Sequence, residues 1–115
     1  MSSAHLKCDP SGGILVAKVL CEKISEYEAN VLEPELKMLA AQHQHRLVLD
    51  MADVQMVASV GLGMLVQLNR TLKTAGGKFV LASLSDNIKK VMKLTRLDSG
   101  LTIVSTVADG IAKAK

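Results

Sequence analysis

Apolar and polar positions follow two different periods along this chain. The first residues form short extended runs: 4 to 9 and 13 to 21 read as two strands joined by DPSGG, whose Pro10, Ser11, Gly12 and Gly13 supply turn chemistry. This predicts an N-terminal β-hairpin. The next stretch, NVLEPELKMLAAQHQ, places Val31, Leu32, Leu36, Leu39 and Ala40 at helical spacing. Asn30 with Glu33 matches a capping box, whereas Pro34 suits the first position of a helix, so two starts compete for this element.

Strand and helix patterns then alternate. RLVLD, 46 to 50, is too short for a helix and apolar enough for a buried central strand. The stretch VASVGLGML follows as a strand end opening a helix, with Leu62, Leu65, Val66, Leu68 and Leu72 on one face from Val60 to Ala75, and Gly76 and Gly77 as its stop. Ser59 takes the N-cap position in this pattern. KFVLAS, 78 to 83, predicts another buried strand, and SDNIKKVMKLTRL sets Ile88, Val91, Met92 and Leu94 against Lys89, Lys90, Lys93 and Arg96. A strand LTIV, 101 to 104, and a helix from about Thr106, with Asp109 three positions on, complete the order. Alternation of this kind implies an α/β fold: a mixed, mostly parallel sheet packed with about four helices, because each right-handed crossover lays a helix across the sheet.

Length and composition narrow the class. The chain has 115 residues, 49% of them hydrophobic and 22% charged, which suits one domain over 1–115 with one core. The start MSSAHLKCDPSGG has neither the basic opening nor the apolar core of a signal peptide, and no apolar run reaches the roughly 18 residues of a membrane helix. A cytoplasmic protein without direct membrane insertion is the expectation. Cys8 and Cys21 fall in what read as neighbouring strands, and reduced thiols used as small core hydrophobes suit that compartment better than a disulfide.

Charge is uneven along the chain. Glu22, Glu26, Glu28, Glu33 and Glu35 against Lys23 give residues 22 to 35 a balance of −4. Arg70, Lys73, Lys78, Lys89, Lys90, Lys93 and Arg96 against Asp86 give residues 70 to 96 a balance of +6. Solvated helix faces account for such runs, and with Tyr27 and Phe79 the only aromatic residues there is no stacking platform for a nucleic-acid partner.

Catalytic and cofactor chemistry find little support. Asp50 ends a strand as a receiver aspartate would, yet residues 1 to 21 carry only Asp9 where a magnesium-binding acid pair is needed, so Asp50 is expected to satisfy backbone amides of the next loop. GLG is neither GxGxxG nor a P-loop, His5, His43 and His45 lie away from Ser59, and no Cys and His cluster suggests a metal. No enzyme activity, cofactor or metal is expected. What stands out is an apolar helix start, Met56, Val57, Ala58 and Val60 around Ser59, suited to a protein partner.

At these residues LVLDMADVQMVASVGLGML resembles the signature region of the STAS domain, the sulfate transporter and anti-sigma factor antagonist family. The family pattern is an apolar strand ending in Asp, a short link, then Asp-Ser-Ser-Gly-Leu-Gly opening a helix. The hairpin, the Gly76–Gly77 turn, LTRLDSGLTIV and the closing VADGIA fall in the family's order as well. The resemblance implies a binding module. In the antagonist branch the domain binds an anti-sigma factor, a serine kinase that otherwise holds a sigma factor, and phosphorylation of the second serine breaks the complex, which would make this protein a regulator of transcription.

Carried over by position, the family's aspartate falls on Ala58, its first serine on Ser59, its phosphorylated serine on Val60, and its Gly-Leu-Gly on Gly61, Leu62 and Gly63. These six residues form the expected partner-binding segment. Val60 has no hydroxyl, so the resemblance implies an antagonist without its usual switch. Three other readings stay open: an accessory subunit docked on a membrane transporter ATPase or within a stress-signalling scaffold of other STAS proteins, phosphorylation moved to Ser59, and a homodimer through the apolar loop.

Overall fold

The computed structural model describes residues 5–115. The hairpin consists of β1 (Leu6–Ser11) and β2 (Ile14–Val19), antiparallel, with Ser11 opposite Ile14 and only Gly12 and Gly13 between them. Both glycines have positive φ, +56° and +82°, the backbone such a two-residue turn requires. Pro10 and Ser11, expected in the turn, therefore extend the first strand. Proline is tolerated there because β1 lies at the edge of the sheet, where a missing N–H need not interrupt a ladder. Residue 4, where the strand was expected to begin, lies outside the described residues.

Five strands form the main sheet in the order β1-β2-β4-β6-β7, with β4 at Arg46–Asp50, β6 at Lys78–Ala82 and β7 at Thr102–Val104. β2, β4, β6 and β7 run parallel. Both faces of the central strands are covered, which explains their unbroken apolar runs. Leu47, Leu49, Phe79 and Leu81 face a core shared with α1 (Glu26–Ala41), α2 (Ser59–Thr74) and α3 (Asp86–Leu94). Val48, Val80 and Ala82 face the other way, with Ile14, onto α4 (Val107–Ala114).

α1 starts four residues before Asn30 and eight before Pro34, the two starts expected from the sequence. The capping box is Ser25 with Glu28: the Ser25 amide donates to the Glu28 carboxylate at 2.9 Å, and the Ser25 hydroxyl donates to the same group. These bonds hold the Glu28 carboxyl below its ordinary range. Pro34 lies inside the helix on its solvent side, and Asn30, whose carbonyl loses its partner there, is also exposed, so water can satisfy it. The pattern from Val31 onward was legible. The earlier turn was masked by Glu26 and Tyr27, which face outward, and by Glu28, which folds back onto Ser25.

Side chains also cap the later helices, the last of them at the expected Thr106. Ser85 Oγ accepts from the Ile88 amide at 3.3 Å, and Thr106 Oγ1 accepts from the Asp109 amide at 3.1 Å. α3 ends at Leu94 rather than continuing through Thr95, Arg96 and Leu97, because Arg96 turns to φ +61° and begins a short 3-10 turn over Leu97–Ser99. Cys8 is buried opposite Ala17, whereas Cys21 lies beyond the end of β2, so the two thiols do not face one another across the hairpin. Neither forms a disulfide among the described residues, and burial raises both above the ordinary thiol range. Among the described residues, no helix is long and apolar enough to cross a membrane.

Candidate functional site

The segment Ala58 to Gly63 is positioned by a small second sheet that the sequence pattern did not reveal. β3 (Lys23–Ile24) and β5 (Met56–Val57) pair in parallel, Lys23 with Met56 and Ile24 with Val57. Glu22 carbonyl accepts from the amides of Gln55, at 2.7 Å, and Met56, at 3.2 Å. The Ala58 amide donates to the Ile24 carbonyl at 2.9 Å, and the Leu62 amide donates to the Ala58 carbonyl at 3.0 Å. Two-residue strands carry too little periodicity to be seen in a sequence, yet here they fix where α2 begins.

Ser59 is the first helical residue, and Ala58, with extended φ and ψ of −73° and 167°, is the N-cap. This corrects the expectation that Ser59 caps the helix. No side chain caps α2, and its first turn contains no acid, so its end carries an uncompensated partial positive charge. An aspartate at position 58, as in the family pattern, would fill that role. Alanine leaves it empty.

Gly61 is where the helix meets the small sheet. A methyl group added there would lie 2.6 Å from Val57 Cγ1 and 3.0 Å from Ile24 Cγ2. Gly63 has open space around it. Leu62 points into the core, while Ser59, Val60 and Gly63 are exposed, Val60 to 48%. Met56 on β5, at 57%, is exposed at the same end of the helix. The six expected residues thus divide into three that present a surface, Ser59, Val60 and Gly63, and three that seat the helix, Ala58, Gly61 and Leu62.

Asp50 behaves as expected, its Oδ1 accepting from the Ala52 amide at 3.0 Å. The next acid, Asp53, pairs with Lys18 at 3.6 Å. The basic segment 70–96 does not form one face: Lys73 and Lys78 line a depression with Lys113, Lys90 lines a groove beside β5, and Lys89 and Lys93 border a third hollow with Asp98.

A protein from Thermotoga maritima named "Putative anti-sigma factor antagonist" is 27% identical over 71 residues, 62% of this chain and 63% of that protein, so the match spans less than two thirds of the relative. The crystal structure of an antagonist of that description from Thermotoga maritima superposes with a TM-score of 0.79 at 20% identity, covering 96% of this chain and 95% of that one. SpoIIAA, described as a Bacillus cell fate determinant in its phosphorylated form, gives 0.70 at 13% identity over 96% of this chain and 99% of its own. At these identities the structures speak to the fold. The family model described as the STAS domain matches residues 12–110, the stretch that holds four of the five main-sheet strands and the whole α2 site, and the chain belongs to that family.

Proposed function

We propose that residues 1–115 act as one anti-sigma factor antagonist-like domain, a binding module without catalysis of its own, whose α2 start docks on an anti-sigma factor of the serine-kinase type and so regulates transcription. The observation that carries this is Val60, 48% exposed in the first turn of α2, at the place where the family pattern has its phosphorylated serine. An exposed valine beside exposed Met56 gains from apolar burial against a partner. A phosphoserine at this position would instead bring about −1.5 to −2 charges into that contact. Valine cannot be phosphorylated, so the module would stay in its binding form whenever its kinase is present.

The transporter-accessory reading has less support, because the sequence relative carries an antagonist name. The test begins with recovery of the tagged protein and its partner from the native host. A kinase that binds the wild-type chain is then offered Val60→Ser with Ala58→Asp, and the intact mass of the product is measured. Phosphate on the double variant and none on the wild type is the expected result. Refusal of the double variant by a kinase that binds it would count against the proposal, and a mass shift of the wild type that disappears in Ser59→Ala would move the switch to Ser59.

A further inference from the structure

An open groove of about 320 Å³ lies between β5, the start of α2 and α3. Its buried lining includes Leu62 and Ile88, 9% and 2% exposed, and its rim carries Met56 and Val91, 57% and 37% exposed. Lys90 also lines it. One turn beyond Val91 on α3, Leu94 is 83% exposed, so an apolar stripe continues from the groove along the helix. Such a stripe on a water-facing helix is not needed by the core, which already takes Ile88 and Met92 from α3.

The helix that carries the stripe has an excess of positive charge. From Asp86 to Arg96, Lys89, Lys90, Lys93 and Arg96 stand against one acid, Asp86, at the far end of the helix. All four cations are exposed, and neither ion pair found among the described residues, Lys18–Asp53 or Lys37–Glu33, involves α3. A positively charged helix that presents an apolar stripe, with Lys90 in the groove itself, complements a helix with apolar residues on one side and carboxylates beside them.

We propose that this groove and the Val91–Leu94 stripe dock an acidic amphipathic helix of a partner protein, with an apolar anchor between Met56 and Val91 and carboxylates facing Lys90, the cation that lines the groove. The proposal deepens the binding-module reading and rests on it only in taking this side of the domain as the docking side. It adds the chemistry of the partner, which the α2 start alone does not specify.

The test uses the full chain with labelled methyl groups and a synthetic helical peptide of Leu, Ala and Glu, ~18 residues or about five turns, with Leu on one face. Two controls have Lys in place of Glu, or the same acidic composition in scrambled order. The acidic amphipathic peptide should shift the methyl signals of Met56, Val57, Ile88, Val91 and Leu94 and bind at least about tenfold more tightly than either control. Lys90→Glu, at an exposed position that leaves the core intact, should remove about that preference, and so should raising the salt to about 0.5 M.

Equal binding of the lysine or scrambled peptide, shifts elsewhere, or methyl shifts that follow the protein's own concentration, which would mean that a second copy fills the groove, would each overturn the proposal. This readout involves no kinase and no change at Val60. A negative result here therefore leaves the α2 proposal standing, and a negative phosphorylation result leaves this one standing.

Discussion

Ala58 occupies an N-cap without the side chain that position favours. Its backbone is extended, its amide is taken by Ile24, and the amides of the next turn have no side-chain acceptor. Serine or aspartate at an N-cap is worth about 1 kcal/mol over alanine. Ala58→Ser is therefore expected to raise the stability by that amount, a shift of the urea midpoint of about 0.3–1 M with an unchanged slope. No gain, with the slope unchanged, would show that the backbone at Ala58 cannot turn a side chain toward the amides of α2. At this scale the sequence misled in one respect: Ser59 is the residue type that caps helices, and the small sheet moved the start one residue earlier.

Among the elements, α2 shows how two glycines in one motif can have different purposes. Gly61 lets the helix approach Ile24 and Val57, so Gly61→Ala must push the helix away from β3 and β5, at a cost of about 1–3 kcal/mol for overpacking. Gly63 is exposed with open space around it, and Gly63→Ala is expected to gain about 0.5–1 kcal/mol from helix propensity. Thermal unfolding of the two variants should move in opposite directions. If Gly63→Ala gains stability while weakening partner capture, Gly63 serves the docking surface rather than the fold; destabilisation by Gly63→Ala would contradict the open space seen there. The GLG motif was legible as a unit in the sequence, but which glycine seats the helix was not, since that depends on strands paired across 33 residues of sequence.

At the scale of the whole molecule, among the described residues three helices cover one face of the sheet and a single eight-residue helix covers the other. Ile14, Val48, Val80 and Ala82 are at most 2% exposed under α4. Exposing a buried valine or isoleucine costs about 1.5–3 kcal/mol, and several together rival the ~5–15 kcal/mol of a typical domain. Ending the chain after Ser105 should therefore abolish cooperative unfolding and produce binding of a hydrophobic dye. An unchanged unfolding midpoint would show that α4 is not needed as a cover.

The sequence by itself determined the class of this protein. The two periods, the turn glycines and the unbroken apolar runs RLVLD and KFVLA are local properties, so the order of strands and helices and the mostly parallel sheet could be read from neighbours along the chain. The frame around VASVGLGML carried the family in the same way. Only the tertiary structure decided where α2 starts, which of its residues face outward, and that Met56, Val91 and Leu94 share a surface with Lys90. Those facts depend on β3 meeting β5 and on α3 packing beside them. Contacts between residues tens of positions apart leave no period in a sequence.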